Sequence, residues 1–265
     1  MRIRYICLAA VATAFSLQAQ NVSLVQGALN NYAQDEAIKS EYAYTEEYQI
    51  KNFDKHGKIT SDHTSKYEAF LLEGVPYLRK TEEDGHPLVG KSAKVEMQKY
   101  LKAVEERKRM TLTQKLASAR NKSLTLNIPL DSLNRAYDSQ VIGPEVMSGR
   151  ETIHVQANPR SGADREPKTA NMQIDVWIDK QTNHFVRAAG VLLEKEGHIL
   201  PGTRVVYEWL PHGDVWLLSQ VDFEGAAKVM METVKFEAHE RYLDYKKFAV
   251  TTSDSVLLPP VRKHQ

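Results

Sequence analysis

The stretch NMQIDVWIDKQTNHFVRAAGVLL, residues 171–193, reads as two strands joined by a polar turn. Met172, Ile174, Val176 and Ile178 alternate with Gln173, Asp175, Trp177 and Asp179. Side chains along a strand point to opposite faces in turn, so the first set meets a core while the second can meet water. Lys180–Asn183 supplies the turn, and the return begins at Phe185. An antiparallel hairpin of this kind requires further strands beside it, and the rest of the chain offers them.

Downstream, Thr203–Leu210, Val215–Phe223 and Lys228–His239 alternate again, separated by Pro211–Asp214 and by Glu224-Gly225, and Tyr242–Val250 ends the ordered chain. Upstream, Glu41–Asp54 places Tyr42, Tyr44, Tyr48 and Ile50 on one face, interrupted by Glu46. Lys58–Leu72 and a Pro-containing strand, Val75–Lys80, complete a meander, with Pro76 suited to an edge. Leu124–Leu130 reads as a short strand and Asp131–Tyr137 as a helical turn capped by Asp131; Val141–Val146 and Glu151–Ala157 flank a Ser148-Gly149 turn. Two helices are expected. Val22–Lys39 is amphipathic, and a long basic stretch from Ser92 to Ala119 packs at its start and then projects into water. Nine to eleven antiparallel strands with few helices give an α+β class, and a sheet of that width must curl or close.

The first residues stand apart from this core. Arg2 and Arg4 precede the apolar run Tyr5–Leu17, and Leu17-Gln18-Ala19 ends in a small residue. That is the anatomy of a cleaved signal peptide over 1–19, because the run is shorter than the ~20 residues a spanning helix needs. A single domain over 20–250 and a flexible tail over 251–265 follow. Cys7, the one cysteine, lies inside the apolar run, so the exported chain has no disulfide, thiolate nucleophile or cysteine metal site. Export without disulfides suits a bacterial periplasm. Charge is uneven: residues 91–122 hold ten Lys and Arg against three Glu, a basic insertion within a near-neutral chain.

No catalytic motif is present. Val146-Met147-Ser148-Gly149-Arg150 lacks the first glycine of a nucleophile elbow, and the nine histidines have no metal-ligand spacing. Asp175 and Asp179 share a strand face, but four residues at ~3.3 Å each put them about 13 Å apart. Paired carboxylates of glycosidases stand at ~5–9.5 Å. Asp179 is therefore expected to start the turn and Asp175 to face water or a lysine. No cofactor, metal or nucleic acid is implied. The apolar and aromatic strand faces carry the candidate site: Tyr42, Tyr44, Tyr48, Met172, Ile174, Val176, Ile178, Val205, Tyr207 and Trp209. These residues fit either a packed core or the lining of a ligand cavity. Lys102, Arg107, Lys108 and Arg109 fit either a solvated arm or contact with an acidic partner or anionic membrane surface.

Tyr67–Arg79 (YEAFLLEGVPYLR), Gly149–Pro159 (GRETIHVQANP), Val176-Trp-Ile-Asp179 and Asp214-Val-Trp-Leu217, in this order after an N-terminal helix, resemble periplasmic proteins of the LolA-like superfamily, which includes the outer-membrane lipoprotein carrier. The resemblance is especially to an exported branch with a charged helical insertion. It implies an incomplete antiparallel barrel closed by helices over an apolar cavity; with the residues above, the expectation is a monomeric, non-enzymatic periplasmic protein that holds a lipid or acylated lipoprotein. The alternative, motivated by the basic charge of residues 91–122, is an envelope interaction or stress-sensing module that docks an acidic partner, such as a membrane protein, through the basic helix.

Overall fold

The computed structural model describes residues 23–111, 113–115, 126–160, 171–230 and 232–248. The expected signal peptide and tail lie outside these residues, as do 112 and 116–122 of the basic insertion. Helix α1 (23–39) leads into strands β1 (Tyr42–Phe53), β2 (Ile59–Leu72), β3 (Val75–Glu83) and the short β4 (His86–Pro87). Helix α2 (Gly90–Lys108) follows, then a single 3-10 turn (Leu130–Ser132) and helix α3 (Leu133–Ala136). Strands β5 (Tyr137–Met147), β6 (Arg150–Pro159), β7 (Met172–Asp179), β8 (Phe185–Leu192), β9 (Arg204–His212), β10 (Val215–Val229) and β11 (Glu232–Lys247) complete the chain.

All eleven strands form one antiparallel sheet in the order β4-β3-β2-β1-β11-β10-β9-β8-β7-β6-β5. The sheet curls without closing, as the α+β reading expects. Its one non-sequential pairing, β1 on β11, brings the first and last strands together in the middle. Residues directly opposite in antiparallel strands share a face, so register assigns each side chain to a side of the sheet. One row runs Ser65, Tyr48, Glu240, Val221, Tyr207, Ala188, Val176, Val155, Val141 across β2 to β5. The next row runs Gln49, His239, Asp222, Val206, Ala189, Asp175, Gln156, Gln140. The first is the inner, largely apolar face and the second the outer, largely polar one.

The opening hairpin is β7–β8. Met172, Ile174, Val176 and Ile178 are at most 1% exposed, and Trp177 stands on the outer face. Over them lie α1, through Val25 and Ala28, and the segment from Leu126 to Tyr137. Gly190 permits that cover: a Cβ there would meet Met172 Sδ at 3.0 Å and Ile128 Cγ1 at 3.2 Å. Residues 126–129 are not a strand, contrary to the sequence reading, because their apolar side chains cap the inner face instead of extending the ladder. The expected helical turn forms at Leu130–Ala136, without a side-chain cap from Asp131.

Helix α1 is fastened to the β7–β8 turn. Asn31 Nδ2 donates to the carbonyls of Thr182 (3.2 Å) and Asn183 (2.9 Å), and Asp35 meets His184 at 3.5 Å. Gly27 makes room at the contact: a Cβ there would fall 2.1 Å from Asn183 Nδ2 and displace that side chain. Asp179 holds the turn itself. Its Oδ1 accepts from the Gln181 and Thr182 amides and the Thr182 hydroxyl, and its Oδ2 from Arg150. Burial pushes the Asp179 carboxyl up, yet these bonds outweigh it and hold the group below the usual aspartate value.

Two further sequence expectations give way. Glu224-Gly225 is not a turn: β10 runs through it to Val229, and the reversal comes at Met230, with φ of 54°. Gly225 serves close approach instead, because a Cβ there would meet Thr203 Oγ1 at 2.3 Å. Helix α2 starts at Gly90 and ends at Lys108, rather than running from Ser92 to Ala119, and it does not project into water. Glu96 Oε1 accepts from the Lys80 amide at 3.1 Å, and Arg107 donates to the carbonyls of Val75 (3.3 Å) and Pro76 (2.9 Å). Beyond the helix, Lys115 Nζ reaches the Glu73 carbonyl at 2.7 Å. The helix thereby covers the edge that β4 leaves open along β3, where unpaired backbone groups would otherwise invite another strand.

Candidate ligand-binding face

The inner row divides the candidate residues into two groups. Met172, Ile174, Val176 and Ile178 of β7 and Val205, Tyr207 and Trp209 of β9 all join the sealed core. Tyr32 of α1 seats there edge-on against Phe185 and Trp209, with ring centroids at 6.1 and 6.0 Å. The Tyr207 hydroxyl donates to Asn127 Oδ1 at 2.6 Å. Tyr42, Tyr44 and Tyr48 of β1 lie further along the same face and are only half-buried.

Around that second group the structure gathers residues that period-two reading misses. Tyr44 packs on Tyr242 (5.7 Å) and Tyr245 (5.1 Å), and Tyr42 meets Tyr245 edge-on at 6.2 Å. Tyr242 and Tyr245 are three residues apart, so strict alternation would set them on opposite faces. Asp244, with φ of 54°, and the register shift opposite Tyr44 put both against one ring. The Lys39 ammonium of α1 sits 6.0 Å from the Tyr242 ring. Burial pushes the hydroxyls of Tyr44, Tyr242 and Tyr245 well above the ordinary tyrosine range, with nearby glutamates adding to the rise.

Glu240 is the ionisable member of the inner row. It is 4% exposed, opposite Tyr48 and Val221, and accepts from the Tyr242 hydroxyl at 2.7 Å. No cation lies within ion-pair distance of it among the described residues. Burial raises its pKa, and the Tyr242 bond offsets part of that rise.

The outer face holds the histidine–carboxylate contacts. His154 meets Glu145 Oε1 through Nδ1 (2.9 Å) and Asp175 Oδ1 through Nε2 (2.8 Å), while the Trp177 ring stacks on it at 4.6 Å. Asp175 thus faces a histidine and Gln156, not a lysine. Trp177 Nε1 donates to Glu145 Oε2 at 2.7 Å, and this bond, with His154, holds the Glu145 carboxyl below its usual range. Both nitrogens of His154 are spent on carboxylates, which leaves none to activate a nucleophile. His239 meets Asp222 at 2.7 Å beside an outer groove of about 490 Å³ lined by Glu47, Thr64, Lys66 and Arg241 among others. No hydroxyl is hydrogen-bonded to either histidine among the described residues. Nor do the described residues hold a group of three or more metal-ligating side chains, and no helix among them is long and apolar enough to cross a membrane.

The basic candidates separate too. Arg107 is committed to the β3 edge and to the Tyr77 ring, 4.9 Å from its guanidinium. Lys102 and Arg109 pair with Glu106 and Glu105 at 3.7 and 3.5 Å on the exposed side of α2, whereas Lys108 is exposed and unpaired among the described residues.

The described residues form an unclosed, curled antiparallel sheet with helices over its concave side, the architecture the sequence reading expects. Among solved structures the chain is similar to a domain from Vibrio parahaemolyticus assigned to outer-membrane lipoprotein sorting, with 11% identity, 86% of this chain and 92% of that chain covered, and a TM-score of 0.41. It is similar also to a DUF1329 family protein from Desulfovibrio piger (14% identity, 90% and 95% covered, TM-score 0.40). A LolA superfamily protein from Nitrosomonas europaea gives 9% identity, 87% and 94% covered, and a TM-score of 0.38. No family model matches the sequence, and the comparison with curated proteins gives no match.

Proposed function

We propose that this chain is a periplasmic, non-enzymatic binding or carrier protein that holds the acyl chain of a lipid or lipoprotein against its concave face. One observation carries the reading: the inner face passes, across the buried Glu240, from a sealed core to a wall of tyrosines that is half-covered. A wall of that kind binds by burial alone. At ~0.8 kcal/mol per CH₂, a chain of ~16 carbons gains enough to be held without any covalent step. The tyrosines suit the role because each offers a broad apolar ring with one polar tip. Tyr42, Tyr44 and Tyr48, with Tyr242 and Tyr245, form the contact surface in this reading, and the β7 and β9 residues form its rigid floor.

The test is native mass spectrometry and lipid extraction of protein purified from the bacterial envelope. A co-purifying lipid is expected. Delipidated protein should bind a fluorescent fatty acid, and Tyr48→Glu should weaken that binding by about tenfold, or ~1.4 kcal/mol. Far-UV circular dichroism should stay unchanged, since Tyr48 is half-buried. An envelope-purified protein free of lipid, together with no binding after delipidation, rules the carrier reading out.

A further inference from the structure

Helix α2 is more than an edge cover. Its inward side, which carries Glu96, Tyr100 and Arg107, is fastened to β3 by the hydrogen bonds above and by Tyr100 packed on Tyr77 at 5.8 Å. The orientation of its remaining surface is therefore fixed.

On the flank beside that side, Lys94, Met97, Leu101, Val104 and Lys108 recur at alternating spacings of three and four. Residues so spaced lie in one line along a helix. Met97 is 53% exposed and Leu101 55%, with Val104 half-buried next to them. The helix has six basic and three acidic residues, and the acidic ones are all occupied. Glu96 serves Lys80 and Lys99, Glu105 pairs with Arg109, and Glu106 pairs with Lys102. Lys94 and Lys108 have no such partner among the described residues. Unpaired cations thus bracket a fixed, exposed apolar pair.

We propose that α2 docks this protein on an anionic lipid bilayer through the flank carrying Lys94, Met97, Leu101 and Lys108. An acidic protein would be met by the lysines alone, and nothing about it explains two large apolar side chains held in water between them. A bilayer surface takes both. Apolar side chains enter the boundary between headgroups and acyl chains, and lysine stems lie along it with their ammonium groups at the phosphates. The helix is ~28 Å long at ~1.5 Å per residue, so it can lie in that plane along its whole length. The proposal stands on α2 alone and holds whether or not the concave face carries an acyl chain.

The experiment is vesicle flotation of the full chain with phosphatidylcholine, and with phosphatidylcholine mixed with phosphatidylglycerol. Binding to the anionic vesicles should exceed binding to the neutral ones by about tenfold at low salt and fall as salt screens the lysines. The pair Lys94→Glu and Lys108→Glu should bring it down to the neutral level. Met97→Ser with Leu101→Ser should lower it at least about fivefold on the anionic vesicles, since burial of the two side chains is lost. Lys55→Glu, at the β1–β2 turn, should leave it unchanged, and all variants should keep the parent circular dichroism. The proposal is overturned if folded protein ignores anionic vesicles. It is equally overturned if the serine pair binds as well as the parent, or if the lysines act only on a polyglutamate matrix, which would make the flank a site for an acidic protein.

Discussion

At the scale of single residues, the chemistry of Glu240 conflicts with its surroundings. Its carboxyl lies between Tyr48 and Val221 on the apolar face, with a tyrosine hydroxyl as its hydrogen-bond partner. Burial penalises the charged form, so the folded chain holds this proton at pH values where the unfolded chain has released it. Because the folded-state pKa is raised, the folded state binds more protons in that interval, and stability falls as pH rises through it. The window opens at the ordinary glutamate value and closes at the raised folded one. Glu240→Gln keeps the shape and stays neutral. Urea unfolding at a series of pH values should show the parent losing stability as pH rises above the ordinary glutamate range, whereas the variant gives a flatter profile and the higher stability at the alkaline end. Equal slopes for the two proteins would mean that Glu240 is ionised and solvated in the folded chain. Asp179 is the opposite case. Buried as well, it accepts from three donors in its own turn and from Arg150, and the summed bonds overcome the same penalty. Two buried carboxylates thus differ in sign because one is supplied with donors and the other is not.

At the scale of elements, α2 shows how a basic helix can be mistaken for a free arm. Two of its side chains, Glu96 and Arg107, complete the hydrogen bonding of an edge strand, as an acceptor for the Lys80 amide and a donor to the Val75 and Pro76 carbonyls. Arg107→Ala should therefore loosen the Val75–Pro76 end of β3 and not the molecule as a whole. Hydrogen exchange should quicken in α2 and at the β2–β3 end, with a global cost of about 1–2 kcal/mol, and exchange in β7 and β8 should stay as it is. A uniform acceleration through β7 and β8 would show that the helix supports the whole sheet. The same comparison marks what could be read from residues in order. Met172–Ile178 alternates strictly and is walled on one side by core, so its hairpin and the outward Trp177 were legible. Gly225 was not, since a glycine after a glutamate signals a turn as well as it signals room for Thr203. Nor were Tyr242 and Tyr245, whose shared face depends on a kink at Asp244 that alternation cannot express. The edge contacts of α2 were hidden for a further reason: Glu96 and Lys80 are distant in any local pattern and meet only after β3 has folded back.

At the scale of the whole molecule, one inner face is covered unequally. Over β7, β8 and β9 it is sealed by α1 and by the Leu126–Tyr137 segment, and its side chains are almost wholly buried. Over β1 its residues are of intermediate exposure. Packing of the first kind leaves no room for a ligand without displacing α1, which Asn31 and Asp35 fasten to the β7–β8 turn. A ligand entering along the apolar face therefore meets the tyrosine wall first and stops at the sealed core. Backbone hydrogen exchange with and without a bound fatty acid distinguishes this from the alternative. Binding should slow exchange at Tyr44–Ile50 and at Ala238–Tyr242, paired strands that carry the wall. It should change little at Met172–Ile178, whose amides open only with the global unfolding that protects a core strand. Slower exchange appearing first in β7 and in α1 would place the acyl chain beneath the helix, and α1 would then be a lid that opens. The whole-sheet register makes the two outcomes separable, because β1 and β7 sit five strands apart in the same sheet and cannot be protected by one local contact.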